Sequence, residues 1–250
     1  MKFNHFLFFL LLSFTQNIFS QTFYTQKKLH SINGTNIPFS LLYLNCDSFH
    51  FNLPLILFLH GAGERGNDNQ SQLTIGLPKL IENIKTPCLI VAPQCPKNEK
   101  WVNTDWTLPS HTMEKNCNTP LSACLQIIDS LLSLPEKIDS GRVYLTGLSM
   151  GGFGTWELLQ RYPKKFSAAI PICGGGDLKE CKSLTKIPIW AFHGKKDKLV
   201  PVSRTVNMIS CIQKNGGISK MEIMEKAGHL CWNEVYKKKE VVSWLMSQKK

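Results

Sequence analysis

The residues best suited to chemistry lie in "TGLSMGGFGTW", residues 146–156, where Ser149 has a glycine two positions before it and another two positions after it. The apolar "RVYLTG" precedes this serine, and the helix-like "GGFGTWELLQRY" follows it. A serine at a strand-to-helix junction lies in a tight turn that has no room for side chains at positions 147 and 151. The spacing therefore predicts an exposed nucleophile, with the Met150 backbone N–H available to an oxyanion. The alternative is a serine that caps a glycine-rich helix.

A serine nucleophile needs a base, and in chains with such a turn an acid and then a histidine follow the serine. Asp197 ends "IPIWAFHGKKD" and His229 ends "MEIMEKAGH", so each follows a strand-like segment. We expect both at the sheet edge that carries Ser149, with the imidazole as base and the carboxylate holding its tautomer. His193 is the rival base, although its position at a strand end favours a structural role. Asp177, after "CGGG", is the rival acid.

The second oxyanion donor is expected in "HGAGERGNDN", residues 60–69, which follows the strand-like "LILFLH". Small residues let backbone N–H groups approach a substrate oxygen, which favours Ala62 and then Gly63. His60 is expected to brace this loop. Arg65 and Asn67 either brace the loop or contact substrate.

Alternating apolar runs and helical patterns predict an α/β fold with a mostly parallel central sheet flanked by helices. A hairpin that turns at Asn33-Gly34 comes first. The predicted strands that follow are 53–60, 88–93, 142–147, 166–173, 187–194 and one within 221–229, and the predicted helices are 119–134, 150–161, 202–214 and 234–247. Residues 94–118 form the least regular stretch, and long irregular segments in compact domains are often functional.

Seven stretches between about residues 50 and 245 resemble one superfamily when they are taken together: "LHGAGERGNDN", "APQCP", "TDWTLPSHTM", "TGLSMGGFGTWELLQRYP", "PICGGGD", "WAFHGKKDKLVPVSRTVNMI" and "GHLCWNEVY". They resemble the α/β-hydrolases, and most closely the exported phospholipase/carboxylesterase-like and dienelactone-hydrolase-like esterases. These esterases are related to polyhydroxybutyrate-depolymerase and feruloyl-esterase types. The resemblance implies Ser149, Asp197 and His229 as a triad. Leu230 departs from the family, in which an aspartate often follows the histidine.

The resemblance also bears on the substrate. In this superfamily a cap domain usually enters after the strand that follows the nucleophile, and here only sixteen residues lie between positions 172 and 189. We therefore predict no large cap and an open site for bulky or carbohydrate-linked acyl groups. Trp101, Trp106 and Trp232 are candidates to offer flat faces to such a substrate, although packing in the core is the favoured alternative for any one of them.

The first twenty residues read as a signal peptide, with Lys2, an apolar run over 6–12 and a small residue, Ser20, before the expected cleavage site. The alternative is a retained N-terminal anchor. Residues 21–250 then form one catalytic domain that is exported to the periplasm or the exterior. The net charge of +11 comes from scattered lysines, so we expect neither nucleic-acid binding nor membrane insertion after cleavage. Nine cysteines permit disulfides in an oxidising compartment, and a Cys95–Cys231 bond is one hypothesis.

These observations predict a secreted serine hydrolase that cleaves carboxylic esters through an acyl-enzyme, with no metal or organic cofactor. Two alternatives stay open. The same residues cleave amides in peptidases of the prolyl-oligopeptidase-like type, although no gating domain precedes this one. A non-catalytic binding module on a hydrolase fold is the other alternative, although such modules usually lack a member of the triad. A lipase would need an apolar rim or lid, which the sequence does not clearly show.

Overall fold

The computed structural model describes residues 14–18, 21–46, 52–134 and 138–250. Nine strands in these residues form one sheet: β1 Phe14–Ile18, β2 Gln21–Ile32, β3 Thr35–Leu44, β4 Leu53–Leu59, β5 Cys88–Pro93, β6 Ile138–Leu148, β7 Ala168–Ile172, β8 Ile189–Gly194 and β9 Ser219–Met224. Their order across the sheet is β1-β2-β3-β5-β4-β6-β7-β8-β9. Neighbouring strands are parallel in the part of the sheet ordered β5-β4-β6-β7-β8-β9. Neighbouring strands are antiparallel in the part ordered β1-β2-β3-β5.

Helices cover both faces of the sheet. They are α1 Leu77–Asn83, α2 Thr119–Leu132, α3 Met150–Arg161, α4 Ser203–Lys214, α5 Trp232–Lys237 and α6 Lys239–Ser247. Alternate residues of β4 enter different cores, because successive side chains of a strand point to opposite faces. Leu55, Leu57 and Leu59 pack with α2, α3 and α4, while Ile56 and Phe58 pack with α1, α5 and α6. Every residue of β4 is buried, which explains its uninterrupted apolar sequence.

The predicted fold class is confirmed, and most element boundaries are close to the predicted ones. The hairpin turns at Asn33 and Gly34, which have φ of 49° and 78°. Two successive positive φ angles match the right-handed twist of the flanking strands, and the Asn-Gly pair adopts them readily. The segment between β7 and β8 contains one 3₁₀ segment, Leu178–Leu184, and no cap domain.

One helical prediction needs correction, and one helix was missed. The predicted helix over 234–247 is two helices, because Lys238 between α5 and α6 has extended dihedral angles (φ −73°, ψ 109°). The Asn83 side-chain amide donates to the Tyr236 carbonyl at 2.7 Å, so a residue of α1 occupies an acceptor that a continuous helix would use. Helix α1 itself was not predicted.

The predicted signal peptide lies mostly outside the described residues. Of residues 1–20, only the backbone of Phe14–Ile18 is described, and it pairs with β2 at one edge of the sheet. Residues 1–20 as a signal peptide, and 21–250 as one catalytic domain, therefore stay predictions. Among the described residues, no helix has the length and apolar character needed to cross a membrane.

Candidate active site

Ser149 occupies a sharp turn between β6 and α3. Its φ of 53° and ψ of −118° are unusual for a residue with a side chain, and its N–H donates to the Ile172 carbonyl at 2.9 Å. A Cβ on Gly147 would lie 2.4 Å from the Gly151 carbonyl oxygen, and a Cβ on Gly151 would lie 2.0 Å from the Leu59 carbonyl oxygen. Only glycine fits at either position, so the backbone approaches closely on both sides of the serine. The Ser149 hydroxyl makes no cap bond to α3, which argues against the capping alternative.

The structure brings Ser149, His229 and Asp197 into one chain of hydrogen bonds. Ser149 Oγ lies 2.8 Å from His229 Nε2, and His229 Nδ1 lies 2.7 Å from Asp197 Oδ2. The three residues follow β6, β9 and β8 respectively, at the carboxyl ends of parallel strands. If Asp197 is ionised it only accepts hydrogen bonds, so His229 Nδ1 carries the proton and Nε2 is free to accept one from the serine.

The surroundings of Asp197 keep its carboxylate ionised. Its side chain is fully buried, which by itself would raise the pKa. The hydrogen bonds from His193, His229 and the N–H groups of Leu199 and Val200 outweigh that burial, so the pKa of Asp197 lies well below its ordinary value. A permanent anion beside His229 stabilises a positive charge that develops on the imidazole.

The rival base, His193, contacts Asp197, whereas the histidine that contacts Ser149 Oγ is His229. It is fully buried, and its Nε2 faces two acceptors, the Val200 carbonyl at 3.0 Å and Asp197 Oδ2 at 3.2 Å. Since neither oxygen donates a hydrogen bond, Nε2 must carry a proton. His193 Nδ1 lies 2.8 Å from the hydroxyl of Thr205. These bonds fix the carboxylate and give His193 the structural role that was expected of it.

The rival acid, Asp177, supports the backbone elsewhere. Its carboxylate accepts from the N–H groups of Met113 and Lys179 at 2.9 Å each, and its own N–H and carbonyl bond to the Gln160 side chain. Asp177 therefore ties the irregular segment before α2 to the body of the protein.

His60 braces the loop after β4, as predicted. Its Nε2 accepts from the Cys95 N–H at 2.9 Å, which leaves Nδ1 as the donor to the Gly61 carbonyl at 2.6 Å. Burial lowers the pKa of His60 from 6.5 to about 4, so the ring is neutral near pH 7. Arg65 donates to the carbonyls of Ala62 and Glu99, and thus also braces the loop.

An open groove of about 740 Å³ runs over the serine and the histidine. Ala62 and Gly63 lie along one side of it, whereas Arg65 and Asn67 are not among the residues that line it. Met150 is buried beneath the groove as the first residue of α3, and amides in the first turn of a helix have no acceptor within the helix. Ala62 and Gly63 thus line the same groove as Ser149, and Met150 directly follows Ser149 in the chain.

The three tryptophans have different positions. Trp106 and Trp232 line the groove, and the Trp232 ring packs edge-on against the His229 ring with centroids 5.3 Å apart. Trp101 is fully buried, its indole N–H donates to the His60 carbonyl at 3.0 Å, and it does not line the groove. The prediction that Trp101 contacts substrate is therefore wrong, because the residue belongs to the core.

Sequence reasoning missed several residues of the groove. Lys100, Leu199 and Leu230 all line it, and the two leucines are 59% and 69% exposed. Leu199 follows Asp197 by two residues, and Leu230 directly follows His229. Exposed apolar side chains are thus present beside polar ones along the groove, which the sequence did not clearly show. Only the departure at Leu230 gave a signal for it.

Sequence reasoning also missed Arg204, in the first turn of α4. Its guanidinium donates to the carbonyls of Leu108 at 2.5 Å and Asp105 at 3.0 Å, and to His111 Nδ1 at 2.7 Å. It also lies over the ring of Phe153, 5.1 Å from the centroid. We call residues 100–113 the groove strap, since their first part lines the groove and Arg204 holds the part that follows.

The cysteines do not pair as hypothesised. Cys95 is a free, fully buried thiol, and Cys231 lies against Cys173, so the Cys95–Cys231 hypothesis is wrong. Cys181 and Cys211 form a disulfide with 6.1 Å between their Cα atoms. This bond links the 3₁₀ segment Leu178–Leu184 to α4.

One cluster in the described part of the chain has metal-ligand chemistry. A ligand atom from each of Cys173, His193 and Asp197 lies within 4.8 Å of the others. The Asp197 oxygens and His193 Nε2 are already engaged in the hydrogen bonds described above, and Cys173 Sγ contacts the His229 carbonyl at 3.4 Å. These bonds account for the cluster without an ion.

Comparison with known proteins finds a matching family and several relatives. A model of the phospholipase/carboxylesterase family matches residues 52–241. The crystal structure of a thermostable esterase superposes with a TM-score of 0.81 and 34% identity, over 90% of this chain and 63% of that one.

Two further relatives match over shorter stretches. A bifunctional acetylxylan esterase/xylanase of Neocallimastix patriciarum is 35% identical over 75 residues, which is 30% of this chain and 11% of that protein. A poly(3-hydroxyalkanoate) depolymerase of Paucimonas lemoignei is 44% identical over 50 residues, which is 20% of this chain and 12% of that protein. The chain thus spans less than two thirds of each of these three relatives.

Proposed function

This chain belongs to the phospholipase/carboxylesterase family of α/β-hydrolases, and we propose that it hydrolyses carboxylic esters with Ser149, His229 and Asp197 as its catalytic triad. The observation that carries the proposal is the unbroken hydrogen-bond chain, 2.8 Å and 2.7 Å long in its two links, at the floor of an open groove. A binding module would not need this alignment. No metal or organic cofactor takes part in the proposed reaction.

In the first half of the reaction, Ser149 Oγ attacks the ester carbonyl carbon while His229 Nε2 takes the hydroxyl proton. The carbonyl oxygen becomes an anion, and we assign the backbone N–H groups of Met150 and Ala62 as its donors, with Gly63 as the next candidate. The imidazolium then gives its proton to the leaving alcohol, and the acyl group stays on the serine. Asp197 stabilises the imidazolium throughout this half.

In the second half, water attacks the acyl-enzyme and His229 takes one of its protons. A second tetrahedral intermediate forms at the same carbon and uses the same oxyanion donors. The serine oxygen then leaves, regains a proton from the imidazolium, and the carboxylic acid is released.

The shape of the groove supports a bulky or polymer-linked ester. Its volume is about 740 Å³, and in the described residues no cap domain closes it. Trp106 lies along the groove, where an aromatic side chain can pack against a sugar or aryl group. The names of two relatives, an acetylxylan esterase/xylanase and a poly(3-hydroxyalkanoate) depolymerase, point to polymeric esters. We favour carbohydrate-linked acyl groups as the substrate.

The test compares wild type, Ser149→Ala and Ser130→Ala on p-nitrophenyl acetate and butyrate, and then on acetylated xylan. Ser130 is an exposed serine of α2 and serves as the matched control. We expect Ser149→Ala to lose about 10⁴-fold in kcat and Ser130→Ala to match wild type. A folded wild type that is inert on esters but cleaves a p-nitroanilide would favour a peptidase. One that is inert on both would favour a binding module.

Export is a separate part of the proposal. Residues 1–20 should direct the chain out of the cytoplasm and be removed before Gln21. N-terminal sequencing of the protein recovered from the periplasm or medium of an expressing bacterium should begin at Gln21. A chain that stays in the cytoplasm with Met1 intact would overturn this part.

A further inference from the structure

Two thiols lie in contact directly behind the proposed catalytic histidine. Cys173 Sγ and Cys231 Sγ are 3.1 Å apart, and both residues are buried, with at most 2% of their surface exposed. Cys173 Sγ also lies 3.4 Å from the carbonyl oxygen of His229. The pair therefore joins the histidine loop to the strand beside the nucleophile.

The fold holds the two backbones of this pair firmly. Cys173 follows the last residue of β7, has a φ of 49°, and donates its N–H to the Phe192 carbonyl at 2.9 Å. The Cys231 carbonyl accepts the first two N–H bonds of α5, from Glu234 and Val235, at 3.1 Å each. Hydrogen bonds therefore hold the backbone on both sides of this sulfur–sulfur contact.

We propose that Cys173 and Cys231 form a disulfide in the exported protein, and that this bond positions His229. An S–S bond is about 2.05 Å long, so the two sulfur atoms, now 3.1 Å apart, need to approach by about 1 Å. The two thiols lose two protons and two electrons to an external disulfide, such as an oxidised dithiol oxidoreductase, which is released as two thiols. This cross-link spans 58 residues of sequence.

The surroundings of the pair indicate when the bond forms. Contact with Cys231 and then burial raise the pKa of the Cys173 thiol, so the reactive thiolate is disfavoured once the protein has folded. Oxidation is therefore expected during folding, while an oxidant can still reach the pair. For the same reason, reductant should reach the finished bond only when the protein opens.

Peptide mapping tests the bond without any reference to hydrolysis. The full chain is exported to a bacterial periplasm, purified without reductant, denatured, alkylated and digested with trypsin. Cleavage after lysine and arginine places the cysteines at 173, 181, 211 and 231 on four separate peptides, 166–179, 180–182, 205–214 and 227–237. We expect 166–179 joined to 227–237, lighter than the two reduced peptides by two hydrogen atoms.

Two internal controls accompany this measurement. The 180–182 and 205–214 peptides should also be joined, because Cys181 and Cys211 are disulfide-bonded, and Cys124, a buried single thiol, should be alkylated. Alkylated Cys173 and Cys231 in a sample whose Cys181–Cys211 bond is intact would overturn the proposal.

The positioning role rests on the proposed esterase function and is tested by kinetics. We compare a Cys173→Ala/Cys231→Ala protein with a Cys181→Ala/Cys211→Ala protein as the matched control. The first should lose about tenfold or more in kcat with KM nearly unchanged, because a displaced histidine impairs chemistry more than binding. The second should keep its kcat.

The outcomes of the kinetic test separate the two proposals. A linked peptide pair together with an unchanged kcat in the Cys173→Ala/Cys231→Ala protein would overturn the positioning role. If wild type itself is inert on esters, the proposed function fails, while the peptide map still decides the bond. If the double variant does not fold, kcat is measured on wild type before and after reduction in mild denaturant, and an equal kcat would overturn the positioning role.

Discussion

Replacing Ser149 by glycine should give a more stable protein than replacing it by alanine, although both variants lose the hydroxyl. Ser149 has a φ of 53° and a ψ of −118°, a conformation that costs a residue with a Cβ about 1–3 kcal/mol. Glycine removes this strain but loses about 0.5–1 kcal/mol more chain entropy on folding. The net difference should be about 1 kcal/mol in favour of glycine, or about 2–4 °C in Tm for a domain of this size.

Ser130 provides the matched comparison, because it lies exposed within α2, where a helical conformation suits alanine. At this position the order of stability should reverse, and the free energy of unfolding of Ser130→Gly should be about 1 kcal/mol lower than that of Ser130→Ala. Urea and thermal unfolding of the four variants measure both differences. If Ser149→Gly is less stable than Ser149→Ala by the amount seen at position 130, the turn at Ser149 stores no strain and the reasoning fails.

Three further predictions follow from the site. Gly151→Ala should abolish soluble folded protein or activity, because its Cβ would lie 2.0 Å from the Leu59 carbonyl oxygen, whereas Gly63→Ala should fold normally, since a Cβ there meets nothing within 4 Å. The pKa of His60 is about 4 in the folded protein and 6.5 in the unfolded chain, so the unfolded chain binds more protons between these two pH values. The free energy of unfolding should therefore fall by about 3 kcal/mol as the pH is lowered from 6.5 to 4. In urea unfolding measured over this pH range, the His60→Gln protein should not show this decrease in the free energy of unfolding. Asp197→Asn should lower kcat about 10⁴-fold on p-nitrophenyl acetate, because the amide no longer enforces the required tautomer.

A specific outcome would contradict each of these three predictions. An active and normally stable Gly151→Ala protein would contradict the close approach of the backbones. Curves of stability against pH that run parallel for wild type and His60→Gln would show that the histidine is not held neutral by burial. A kcat for Asp197→Asn within about tenfold of wild type would remove Asp197 from the proposed triad.

The parts of the fold that follow from local pattern were predictable. Strand β4 is buried on both sides, so its sequence is apolar throughout, and the Asn33-Gly34 turn has the residue types that its backbone requires. The break after α5 was not predictable, because it depends on a hydrogen bond from Asn83, which is distant in the sequence, to the Tyr236 carbonyl.

The candidate site also has features that the sequence predicts and features that depend on tertiary packing. The juxtaposition of Ser149, Asp197 and His229 follows from their positions after parallel strands, which all end at one edge of the sheet. By contrast, Trp101 and Trp106 are equivalent in sequence terms, and only the tertiary packing makes the first a core residue and the second a groove residue. The role of Arg204 likewise depends on backbone carbonyls about a hundred residues earlier, for which sequence gives no pattern.

The position of the two exposed leucines affects how the substrate preference of this protein can change. Leu199 and Leu230 belong to the same short loops that carry Asp197 and His229, so selection for a new substrate at the rim also perturbs the residues proposed for catalysis. Residues 103–113 of the groove strap are attached separately, through Arg204 and Asp177, whereas Trp101 bonds to the His60 carbonyl in the loop after β4. Substitutions within 103–113 can therefore alter substrate preference while the catalytic geometry is conserved. Laboratory evolution of new specificity should accumulate changes in residues 103–113 before it changes the leucines.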